Sequence, residues 1–155
     1  MTAQDFIDSY HRLLTPATAA QKAPLFFMVK NARAYATGEL GDGTATSHKT
    51  PKAVLGLSSV ASISAGYNHT CAVTTGGGAK CWGNNANGQL GDGTTTQRLT
   101  PVDVSGLANG VSAVAAGTYH SCAMTAEGGV KCWGFNILGQ LGDGTAGDRN
   151  VPTDV

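Results

Sequence analysis

The chain has 155 residues, of which 22 are glycine, 13% are charged and 6% are aromatic, with Lys and Arg balancing Asp and Glu at a net charge of zero. That balance leaves no basic footprint for nucleic acid or an acidic membrane surface, and no apolar run approaches the roughly 20 residues of a membrane span. Neither is expected as a partner. What remains is a turn-dense chain the size of one ordinary domain, a composition that suits an all-β protein.

Residues 1–37 stand apart as an N-terminal segment read as helical. Phe6, Ile7, Tyr10, Leu13 and Leu14 fall on one helical stripe behind Thr2 as N-cap, which predicts a helix over 3–14. Thr15-Pro16 opens a second helical stretch that Pro24 interrupts. The start of the chain carries acids where a signal peptide has bases, and it has no continuous apolar core, so it reads as no export signal.

From residue 38 onward the chain repeats itself. CAVTTGGGAKCWGNNANGQLGDGT at 71–94 returns as CAMTAEGGVKCWGFNILGQLGDGT at 122–145, an offset of 51, and GELGDGT at 38–44 is the tail of a third copy. Asn31-Ala32-Arg33 stands where the later copies have Cys-Trp-Gly, so that copy is partial. The expected division is a partial repeat at 38–59 and full repeats at 60–110 and 111–155. A period near 50 with short strands points to propeller blades.

Each full unit reads as four strands. VASISAG at 60–66 and VSAVAAG at 111–117 are small, apolar first strands. A hairpin follows, turning at Gly76-Gly77-Gly78 in one copy and Glu127-Gly128-Gly129 in the other. GQLGDGT is then a loop, and a fourth strand led by Pro101 or Pro152 fits an open sheet edge.

These residues, AGYNHTC…CWGNNANGQLGDGT and AGTYHSC…CWGFNILGQLGDGT, resemble the regulator of chromosome condensation repeat, and the resemblance covers residues 38–155. It implies a β-propeller with about one repeat of roughly 50 residues per blade and about seven blades in a ring. It also implies a choice of functions. The founding member is a guanine nucleotide exchange factor for the small GTPase Ran and docks on chromatin, a bacterial relative clamps β-lactamases with propeller-face loops, and many others are protein-interaction modules. Two full copies and a partial one are too few for a ring of roughly four or more blades. The expectation is a fragment of a longer propeller, or a chain that completes a ring by assembling copies of itself.

The pairs Cys71/Cys81 and Cys122/Cys132 are each ten apart across a hairpin. A three-residue turn with a bulge would set each pair face to face, and a two-residue turn would not. We expect structural disulfides, each contributing roughly 3 kcal/mol in the chain-entropy model, with reduced core cysteines as the alternative; short zinc knuckles are missing. Bridged cysteines would favour an extracellular or periplasmic setting, against the missing export signal. His69 and His120, and Trp82 and Trp133, recur once per copy, so we read them as scaffold rather than as acid, base or ligand platform. Asp42, Asp92 and Asp143 recur in GDGT, where one carboxylate per loop falls short of a calcium site and suits a turn. GxGxxG at 142–147 lacks a following helix, and the sequon at Asn68 is lost in the next copy.

What differs between copies is the better guide to recognition. Asn84-Asn85-Ala86-Asn87 becomes Phe135-Asn136-Ile137-Leu138, and TTTQR after GDGT becomes AGDRN. Phe135, Ile137 and Leu138, with Asn84, Asn85, Arg98 and Arg149, are the candidate partner contacts. No unrepeated acid, base or nucleophile constellation is visible. The expected function is therefore non-enzymatic protein binding through blade-edge loops, without a cofactor. Exchange activity on a small GTPase and a purely structural, self-assembling blade are the alternatives.

Overall fold

The computed structural model describes residues 26–27 and 37–155. The helices expected over 3–14 and after Pro16 lie outside the described residues, among which every regular element is a strand. A two-residue strand β1 (Phe26–Phe27) pairs antiparallel with β2 (Lys52–Ala53). The repeats then form two four-stranded antiparallel sheets. The first runs in chain order through β3 (Val60–Ala65), β4 (His69–Thr74), β5 (Ala79–Gly83) and β6 (Arg98–Asp103). The second does the same with β7 (Val111–Ala116), β8 (His120–Thr125), β9 (Val130–Gly134) and β10 (Arg149–Asp154).

Turn chemistry sets the hairpin register. Thr74 donates its N–H to Gly78 and accepts from the N–H of Gly77, which holds a left-handed φ of 77°. The result is a three-residue turn with a glycine bulge. Counting back from it puts Cys71 opposite Cys81, and the same turn through Gly128 puts Cys122 opposite Cys132. Both pairs occupy non-hydrogen-bonded positions, where facing side chains lie closest, and both are disulfides. Pro101 and Pro152 sit inside the fourth strands rather than at their heads, close to register shifts of an edge strand, where a missing N–H costs no ladder bond.

The sheets pack face to face. Cys71, Val73, Ala79 and Cys81 of the first sheet bury against Val111, Ala123 and Trp133 of the second, and the connector residues Val104 and Leu107 close the seam. The partial repeat does the same on the other side, with Val54 and Leu57 packed on Ala72, Trp82, Val60 and Ile63. Each sheet is thus one blade, and the blades stack in chain order.

Candidate functional site

The contacts between blades recur, and they fix what is left for recognition. The backbone carbonyl of Glu39 accepts the Trp82 indole N–H at 2.8 Å and the Thr70 hydroxyl at 3.1 Å. One blade later, the Gln89 carbonyl accepts the Trp133 indole at 2.9 Å and the Ser121 hydroxyl at 2.8 Å. Such an approach requires glycine. A Cβ on Gly41 or Gly91 would come within 2.8 Å or 2.7 Å of the indole nitrogen, and both residues hold a left-handed φ. Because the Ser121 hydroxyl gives its proton to Gln89, it accepts from His69 Nε2 at 2.8 Å. His69 is buried, and burial followed by the neighbouring His120 lowers its pKa to about 4. Its Nδ1 has no partner among the described residues, so the ring is held neutral as a link between blades.

The GDGT loops are equally self-contained. Asp42, Asp92 and Asp143 each accept the N–H and hydroxyl of the threonine two residues on. Asp92 is further bound by Arg98 at 2.8 Å and Asp143 by Arg149 at 2.8 Å, while His48 takes that place beside Asp42 at 3.2 Å. The Arg149 bond, with the Thr145 hydroxyl, holds the Asp143 carboxyl well below the usual range. At Asp92, burial works in the opposite direction and is outweighed by Thr94 and Arg98.

The structure separates the candidate contact residues. Asn85 is fully buried: its amide donates to Asp92 Oδ1 and to the carbonyls of Thr94 and Thr96, and its oxygen accepts from the Leu90 N–H. Asn84 is half-buried and its oxygen accepts from Ala86 and Gln89. Arg98 and Arg149 spend their guanidinium groups on the aspartates of their own loops. Ile137 and Leu138, by contrast, are 63% and 84% exposed. Phe135, in the same loop, is half-buried at one end of an aromatic row. Tyr119 meets it edge to face with centroids 6.2 Å apart, and Tyr67 of the preceding blade meets Tyr119 likewise at 6.1 Å. Both tyrosines are exposed.

The profile of the regulator of chromosome condensation (RCC1) repeat matches residues 36–73 and 81–124, and a second profile of the same repeat matches 60–89 and 111–140. The chain belongs to the RCC1 repeat family. It is 37% identical over 118 residues to the ultraviolet-B receptor UVR8 of Arabidopsis thaliana, covering 74% of this chain and 27% of the receptor. It is 39% identical over 97 residues to the mitochondrial RCC1 domain-containing protein RUG3 of the same plant, covering 62% and 22%. The chain thus spans about a quarter of the length of these relatives. Prp20p of Saccharomyces cerevisiae, a solved structure described with its binding to Gsp1p and histones, superposes with a TM-score of 0.65 at 23% identity over 76% of this chain and 32% of that one. The fold of the two RCC1 blades is therefore that of a β-propeller.

Proposed function

We propose that the chain is a non-enzymatic protein-recognition module, and that its contact surface is the row Tyr67, Tyr119 and Phe135 together with Ile137 and Leu138. One observation carries this reading. A Leu side chain 84% exposed stands in a loop whose ends are tied down, beside an aromatic row whose two tyrosines are exposed. Leu141 N–H is bound to Asn136, and Leu138 N–H to the Gln140 side chain. Aromatic anchors lose little rotamer entropy on binding, and a loop already ordered loses little more. The binding of Prp20p to Gsp1p and histones supports a protein as the ligand class, and the two disulfides support an oxidising compartment as the setting.

The test is a photoreactive residue placed at position 138, at 119 or at 127, the last in the turn at the far end of the same hairpin, about 20 Å away. Cross-linking in the source cell, followed by mass spectrometry, should give the same protein adduct from 138 and 119 and none from 127. Equal yield from 127, or no adduct from 138, would sink the proposal. The identity of the adduct separates a GTPase, another protein and a second copy of the chain.

A further inference from the structure

The loops at 84–90 and 135–141 fold alike, and one substitution between them leaves two donors without a bond. In each, the glutamine Oε1 accepts a backbone N–H at 2.9 Å, that of Asn87 at Gln89 and that of Leu138 at Gln140. Each turns through a left-handed glycine, Gly88 with φ 78° and Gly139 with φ 72°, whose N–H bonds back to the carbonyl of the buried asparagine, Asn85 or Asn136. In the first loop Asn84 Oδ1 accepts twice, from the Ala86 N–H at 3.1 Å and from Gln89 Nε2 at 2.9 Å. The second loop has Phe135 at that position, and its ring packs on Tyr119. The equivalent donors, the Ile137 N–H and Gln140 Nε2, are left with no acceptor among the described residues.

We propose that these two donors form a cradle for a carbonyl oxygen of the protein partner, which makes Gln140 a specificity-determining residue of the contact surface proposed above; the inference rests on that surface. The oxygen takes the place that Asn84 Oδ1 takes in the first loop, with the exposed Ile137 and Leu138 beside it. Gln140 Oε1 is held by the Leu138 N–H, so the plane of its amide is set before anything binds. A carbonyl has two lone pairs and satisfies both donors, whereas a partner with no oxygen there buries them unpaired. The oxygen is a neutral one. Segments 117–119 and 135–141 contain no Lys, Arg, Asp or Glu, and Arg149 is bound to Asp143. Asp148, which accepts the Asn136 N–H at 2.7 Å, is an acid beside the loop and opposes a carboxylate. The occupant is therefore an uncharged segment of another protein that offers an amide carbonyl next to an apolar side chain.

Two readouts test the cradle and the surface separately. Hydrogen exchange followed by NMR should find the Ile137 N–H severalfold faster than the Ala86 N–H, and Phe135→Asn, which returns the missing acceptor, should slow Ile137 to the Ala86 rate. Photo-cross-linking from position 119 in the source cell should give an adduct whose yield falls roughly tenfold or more in Gln140→Glu. That variant keeps an oxygen for the Leu138 N–H and sets its other oxygen against the partner's carbonyl. The Leu138 N–H should stay protected in it, which separates loss of the contact from loss of the loop. An adduct of unchanged yield in Gln140→Glu overturns the cradle and leaves the surface standing. No adduct from the unsubstituted loop removes the surface, and the cradle falls with it. Equal exchange at Ile137 and Ala86 in the unsubstituted chain also overturns the proposal, as does an Asp or Glu of the partner at the point of attachment.

Discussion

Asn85 and Asn136 hold their loops by the same bonds, each tying an Asp, two carbonyls and a backbone N–H around one buried amide. His69 is the residue whose chemistry responds to conditions. Its folded pKa, about 4, lies below the ordinary histidine value of 6.5 because burial and His120 oppose its protonation. Between pH 6.5 and 4 the unfolded chain therefore binds a proton that the folded chain refuses. Stability falls as pH falls through that window, by about 3 kcal/mol in all, and is insensitive to this group above it. Ring titration followed by NMR should find His69 neutral down to about pH 4, with denaturant midpoints dropping over the same interval. A ring that titrates near 6.5 would mean that the link to Ser121 is open. The residue scale also shows what repetition can reveal. Asn85 stands in a block that changes between copies, which made it a candidate contact, but its own position keeps Asn in both, and the kept residue is the buried one. The aromatic row had no such signal. Tyr67 follows its glycine directly and Tyr119 comes two residues after its own, so alignment of the copies separates rings that stacking brings together.

At the scale of elements, the hairpins set both the disulfides and the blade joints. A spacing of ten between cysteines is compatible with more than one turn; the glycine bulge at Gly77 and Gly128 selects the one in which the sulfurs meet. The four-strand units were legible because strand-like runs alternate with glycine turns at a fixed period. The burial of each blade face was not, since equivalent positions such as Cys71 and Cys122 or Val104 and Val155 carry the same residue but have unequal neighbours. That inequality reaches the disulfides. Cys71 and Cys81 are fully buried in the seam, whereas Cys122 on the outer face is half-buried. Thiol–disulfide exchange depends on access to a sulfur. Graded reductant with alkylation and peptide mapping should therefore open Cys122–Cys132 first, with Cys71–Cys81 following only as the fold loosens. The reverse order would mean that the seam is not closed. The loss of the first bridge should cost up to roughly 3 kcal/mol, the loop-entropy value for a closure of this length.

Among the described residues the molecule is a stack with a covered seam on each side of the first blade and an uncovered face on the second. Loops at one end of the hairpins present Tyr119, Phe135 and Leu138, while the outer face of the second blade presents Met124 and Val130. The two surfaces differ in chemistry. The first varies between repeats, with Asn84 to Asn87 replaced by Phe135, Asn136, Ile137 and Leu138, whereas the second keeps the disulfide of the first blade. The described donors that bind such a carbonyl, Thr70, Trp82, Ser121 and Trp133, are engaged within their own chain, so the protein alone should not assemble through the outer face of the second blade. The measurement that tests this most directly is the solution mass of the unreduced 155-residue chain, by multi-angle light scattering across a wide range of concentrations. The account predicts the monomer mass of 15.7 kDa throughout. A defined dimer or trimer that persists on dilution would contradict it, because copies would then be completing one another's blades.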